Sequence, residues 1–186
     1  MRERSGIVLR IARVSIEHAL GANAMFRPPQ APWLEAPGCS FVTLRHEFEL
    51  RGCIGSLEAR RPLGEDIAAN AVAAALRDPR FPPVSADELA SLDVEVSLLQ
   101  PSEPLACTDE DDAMRKLRPG IDGVVIEYRG NRATFLPQVW ENLPDAPMFL
   151  RELKRKAGLP ADFWHPDLRL RRYGVEKHRE RNGPDE

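Results

Sequence analysis

The hexapeptide Leu50-Arg51-Gly52-Cys53-Ile54-Gly55 sets a thiol between two glycines and close to a guanidinium. A cation near a cysteine favours the thiolate, which is the nucleophilic form. The chemistry this suggests is nucleophilic attack or covalent capture by Cys53, with Arg51 tuning the thiol. Period-two alternation predicts that Glu49, Arg51 and Cys53 share one strand face, with Phe48, Leu50 and Ile54 on the other. Gly52 and Gly55 lack side chains, so a substrate or a second backbone can approach the strand closely there. The competing reading is a small packed cysteine beside tight-packing glycines, because cysteine is often buried as a small hydrophobe.

Other residues could complete a site around that thiol. Arg80, in the turn Asp78-Pro79-Arg80-Phe81-Pro82, suits bidentate binding of a substrate carboxylate or phosphate, or else pairs with Asp78. Glu95 and Ser97 alternate against Val94, Val96 and Leu98, so they line either a pocket or a solvated face. His46 lies seven residues before Cys53 and allows a Cys–His dyad across a hairpin. Glu127 and Thr134 are expected as cross-strand partners about a turn at Gly130-Asn131. His18, on the apolar stripe of the first helix, reads as a packed residue at the core edge.

Other chemistries lack their motifs. The chain has no G-x-G-x-x-G, no P-loop lysine, no G-x-S-x-G elbow and no cysteine triplet for an iron–sulfur cluster. Its four histidines and three cysteines show no metal-ligand spacing, so no metal and no cofactor is read from it.

The elements that must position these residues follow from periodicity and punctuation. Ile7, Ile11, Val14 and His18 mark an amphipathic helix over 5–20. A proline-rich connector follows, and strands are expected at 40–46 and 48–54. Pro62, Glu65 and Asp66 open an alanine-rich helix that Asp78-Pro79 ends. Ser85 and Glu88 form a capping-box pair before a strand at 93–99. The second half shows strands at 123–128 and 132–136, a short helix at 138–142, an Asp145-capped helix ending at Gly158 and a strand at 168–175. This grouping predicts an α+β class. The expected organisation is one domain over 1–186, with the N-terminal helix 5–20, a first half 40–99, a second half 121–175 and a frayed polar tail 176–186.

Hydrophobic residues make up 42% and charged residues 30% of the 186-residue chain, values ordinary for a globular protein. No apolar run approaches about 20 residues, and the N-terminus is broken by Arg10, Arg13 and Glu17. Together these give the expectation of a cytoplasmic protein that does not meet the membrane. The net charge of −3 hides an asymmetry, with nine acidic and no basic residues from Phe81 to Met114. That stretch reads either as solvated faces or as an acidic surface for a basic partner. The basic C-terminal third leaves nucleic-acid binding as the weakest reading, since the chain as a whole lacks a net basic footprint.

Phe41-Val42-Thr43-Leu44 followed by the Leu50–Gly55 hexapeptide resembles the central signature of the AMMECR domain family. The resemblance continues through Arg77-Asp78-Pro79-Arg80-Phe81-Pro82-Pro83-Val84 and Val94-Glu95-Val96-Ser97-Leu98-Leu99. It resumes at Gly123-Val124, Ala133–Trp140 and Leu153–Leu159, so ordered blocks cover nearly the whole chain. The nearest likeness is to bacterial members called AmmeMemoRadiSam system protein A. The resemblance implies two related halves, each strand-strand-helix-helix-strand, sharing one curved and mainly antiparallel sheet. It also implies partners known through gene context, a Memo-like protein and a radical S-adenosylmethionine enzyme. It supplies no reaction. Asp122 stands where many members have histidine before the glycine, and an aspartate exchanges protons near neutral pH only if its pKa is raised.

Overall fold

The computed structural model describes residues 2–22 and 25–180. Its elements run α1 (Arg2–Ala19), α2 (Pro32–Glu35), β1 (Cys39–His46), β2 (Glu49–Gly55), α3 (Leu63–Leu76), a 3-10 turn at Ala86–Ser91, β3 (Leu92–Leu99) and β4 (Glu103–Pro104). Then come α4 (Glu110–Lys116), β5 (Gly123–Tyr128), β6 (Asn131–Phe135), a 3-10 turn at Pro137–Glu141, α5 (Ala146–Lys156), β7 (Arg169–Tyr173) and β8 (Val175–Arg179). The α+β class, the N-terminal helix and the antiparallel pairing are as expected.

The strands form two four-stranded sheets, β2-β1-β3-β8 and β4-β7-β5-β6, in place of the single shared sheet expected. The reason lies at Gly174. The expected strand 168–175 ends there, and the chain continues as β8 in the other sheet. The start of the expected frayed tail is therefore an ordered strand up to Arg179, while residues 181–186 lie outside the described chain. Its sequence, Val-Glu-Lys-His-Arg, has little apolar alternation. It is held instead by the Glu180 amide on the Val94 carbonyl at 3.0 Å and by ion pairs of Arg179 with Asp93 and of Glu180 with Arg13.

The chain clusters into two compact units, one running to Leu99 and resuming from Glu176, the other Gln100–Val175. In the first, Val8, Ile11, Val42, Leu44, Ile67, Ala71, Val94 and Val96 are buried together. The alanine face of α3 lets helix and sheet meet closely, and a Cβ on Gly52 would lie 2.2 Å from the Ala74 carbonyl oxygen. Asp66, expected to complement the helix N-terminus, turns inward. It accepts from the Ser40 amide and hydroxyl, the Ser56 hydroxyl and the Asn70 amide, tying α3 to β1. His18 is exposed, so it does not pack at the core edge as expected.

The second unit buries Val124, Ile126, Phe149, Leu150 and Leu153, with the Trp140 ring stacked on Phe149 at 3.7 Å. Its hairpin turns at Arg129-Gly130, both at positive φ (44° and 89°), one residue earlier than expected. The arrangement places glycine at the second turn position, where positive φ costs it nothing. The one-residue shift changes every pair across the hairpin. Glu127 faces Arg132, Thr134 faces Val125, and the expected Glu127–Thr134 pair does not form.

Candidate functional site

Three strands and one turn of the first unit assemble the surroundings of Cys53. In register, Cys53 of β2 faces Thr43 of β1, which faces Glu95 of β3, so the three form one row across the sheet. The neighbouring row is Gly55, Phe41 and Ser97. Both rows lie on the face away from α3, since Leu44, Val42, Val94 and Val96 fill the core face. The thiol is partly buried and contacts the Thr43 hydroxyl at 3.4 Å. Ser97 is buried, and its hydroxyl has no hydrogen-bond partner among the described residues.

Alternation does not carry through β2. The ladder pairs Leu44 with Gly52 but Arg45 with Leu50, so Arg51 is an extra residue, a β-bulge. As a result Leu50, not Glu49, falls on the side of Cys53, and Leu50 no longer shares a face with Ile54. The Arg51 guanidinium is also occupied. It donates to both oxygens of Glu88 at 2.8 and 3.2 Å and to the Pro82 carbonyl at 2.9 Å. With the Ser85 amide as a second donor, Arg51 holds the Glu88 carboxyl down at about 2. Arg51 therefore braces the loop after α3 rather than facing the thiol as the tuning group.

Arg80 occupies the place foreseen for Arg51. Its guanidinium donates to the Cys53 carbonyl at 3.2 Å and forks onto Asp78 through Nε at 2.9 Å and Nη2 at 2.7 Å. Asp78 is buried and also accepts the Cys53 amide at 2.8 Å. The Arg80 fork first, then the two backbone amides, holds the Asp78 carboxyl far below the usual range against the effect of burial. The same pairing raises Arg80, with a smaller contribution from Cys53 itself. Arg80 is thus both of the things foreseen, a partner of Asp78 and a half-exposed cation beside the strand end. With Nε and both protons of Nη2 engaged, Nη1 is the donor group left to meet an anion.

Other expectations separate from this cluster. The space left by Gly52 is taken by the Ala74 carbonyl, and that left by Gly55 by the Phe41 ring, whose nearest atom would lie 2.2 Å from a Cβ there. Both glycines therefore serve packing. His46 pairs with Glu49 at the hairpin end, three ladder positions from the Thr43–Cys53 pair, so no Cys–His dyad forms. Asp122 is buried with its carboxylate taken by the Arg118 amide and guanidinium, and its carbonyl by the Trp140 indole. It acts as a structural anchor in the second unit.

Thr43 entered the sequence reading only as part of the family signature. Asp78 was legible as a helix stop and as a partner of Arg80, but its hold on the Cys53 amide was not. Among the described residues no group of three or more His, Cys, Asp or Glu could hold a metal, and no helix is long and apolar enough to cross a membrane.

The acidic run from Phe81 to Met114 does not form one free surface. Glu88, Asp93, Glu103, Glu110 and Asp112 pair with Arg51, Arg179, Arg172, Lys154 and Lys116. The run also contains β3, most of it buried, and it crosses from the first unit into the second at Leu99.

A family model described as AMMECR1 matches residues 9–178. A protein of Methanothermobacter thermautotrophicus is 39% identical over 184 residues, covering 94% of this chain and 93% of that one. A protein of Methanocaldococcus jannaschii is 40% identical over 171 residues, covering 87% and 82%. The crystal structure of an uncharacterised protein from Pyrococcus horikoshii superposes with a TM-score of 0.82 at 35% identity, over 98% of this chain and 95% of that one.

Proposed function

The chain belongs to the AMMECR1 family, and from that premise we propose that the Cys53 strand end is a binding site for a small anionic substrate, with the thiol as nucleophile or covalent anchor. Arg80 binds the substrate's carboxylate or phosphate, with Glu95 and Ser97 as the polar groups of the two strand rows beside the thiol. In the covalent step the thiolate forms a bond to an electrophilic carbonyl carbon, the carbonyl electron pair moves to oxygen, and the thiol proton passes to solvent. The protein works in the cytoplasm as an enzyme or enzyme subunit, beside a Memo-like protein and a radical S-adenosylmethionine enzyme, as bacterial AmmeMemoRadiSam members are expected to do. The observation that carries this reading is the fork from buried Asp78 to exposed Arg80 at the Cys53 carbonyl.

Limiting alkylation of the folded protein, mapped by mass spectrometry, tests it. Cys53 should label before Cys39 and Cys107, and Arg80→Gln should slow it several-fold while Arg51→Gln does not. For Cys107 the direction is already set, since burial and the Asp112 carboxylate push its thiol pKa up. Protection of Cys53 until the protein unfolds would reduce it to a packing residue.

A second reading is docking of the protein partner without chemistry. It is favoured by the β1–β2 turn, where Glu47 and Phe48 both adopt positive φ and Phe48 is 68% exposed. A bulky residue in that backbone region is strained, and strain of this kind collects at functional surfaces. Loss of partner capture by Phe48→Ser, with Cys53 labelling unchanged, would select this reading.

A further inference from the structure

We propose that the groove between α1 and α3 binds a single-chain amphiphilic anion, an acyl chain ending in a carboxylate. The groove is open to solvent and has a volume of about 990 Å³, near the top of the range of about 300–1,000 Å³ typical of small-molecule sites. Val14 of α1 and Ala68, Ala69 and Val72 of α3 supply an apolar floor. The groove's edge is cationic, with Arg27, Arg61 and Arg77 against the single carboxylate of Glu65.

Arg61 is held by the buried Asp66 at 3.2 Å. Arg27 and Arg77 are exposed and make no side-chain hydrogen bond or ion pair among the described residues. An apolar floor with uncompensated guanidinium groups at its edge complements a ligand that is apolar along its length and negative at one end. A simple alcohol would leave the arginines unmatched, and a small hydrophilic anion would leave the floor wet.

The groove is independent of the cysteine site, because β2 meets α3 through Gly52 at Ala74, away from the groove's floor. His18, unexplained by core packing, lines the same groove.

Isothermal titration of the full chain with sodium decanoate, below its micelle concentration, tests the proposal. One saturable site is expected, with binding about tenfold weaker in Arg27→Gln and in Arg77→Gln, the effect of losing one charge-assisted contact. Both side chains are exposed, and circular dichroism checks that the variants fold. Decanol should bind more weakly than decanoate, and decyltrimethylammonium should not bind. Equal binding of the cation, unchanged affinity in both arginine variants, absence of saturable binding, or association only with decanoate-bearing vesicles would each overturn it. Loss of the Cys53 labelling preference would leave it untouched.

Discussion

The backbone amide of Cys53 donates to the Asp78 carboxylate at 2.8 Å, so a residue at the end of α3 fixes the position of the thiol's own peptide unit. The same carboxylate fixes Arg80, and one buried group therefore sets the Arg80 guanidinium against the Cys53 peptide unit.

Replacing Asp78 with alanine leaves the Cys53 amide without its acceptor and frees Arg80. We expect a loss of about 2–3 kcal/mol in urea unfolding, the scale for hydrogen bonds to charged groups. The exposed Arg80 head can hydrate, which keeps the cost below that of stranding a buried charge. Cys53 alkylation should also lose its dependence on Arg80. A variant as stable as the wild type would show that the fork is incidental.

The Arg51–Glu88 pair predicts an acid-sensitive contribution. Glu88 is held at about 2 in the folded chain against an ordinary 4.5. Its folded pKa is depressed, so its stabilisation is complete above about 4.5 and is lost as pH falls through that window to about 2. The stability difference between wild type and Glu88→Gln should be largest near pH 7 and shrink steadily from pH 4.5 to 2. A difference that stays constant over that range would contradict the assignment.

Gly52→Ala and Gly6→Ala should move stability in opposite directions. A Cβ at Gly52 meets the Ala74 carbonyl oxygen at 2.2 Å, whereas at Gly6 in α1 nothing lies within 4 Å. Overpacking at Gly52 should cost about 1–3 kcal/mol. Alanine at Gly6 should add about 0.5–1 kcal/mol by removing backbone freedom from a helix interior. Thermal melts of the two variants settle it, and a Gly52→Ala variant as stable as the wild type would undo the packing account of Gly52.

Where periodicity is local, the sequence was readable. α3 and α5 carry their caps and stops in adjacent residues, and β1, β3 and β5 are dense in β-branched and apolar side chains. The bulge at Arg51 leaves no local trace, because one extra residue looks like continued alternation until the partner strand is known. Arg51 then takes Glu88, 37 positions away, a choice that depends on tertiary placement. For the same reason Cys53, Arg80 and the Asp78–Arg80 pair were named beforehand, yet the bond from the Cys53 amide to Asp78 that joins them was not. β8 was missed because ion pairs and backbone bonds hold a segment whose composition is that of a solvated tail.

The position of β8 also has a consequence for biosynthesis. The first sheet borrows its last strand from the far end of the chain, so β3 has an open edge until about residue 180 has emerged from the ribosome. An unpaired edge of a hydrophobic strand is a template for association with other chains. The nascent protein must carry that edge through synthesis of the whole second unit, and arrest there should expose it to aggregation that the finished chain avoids.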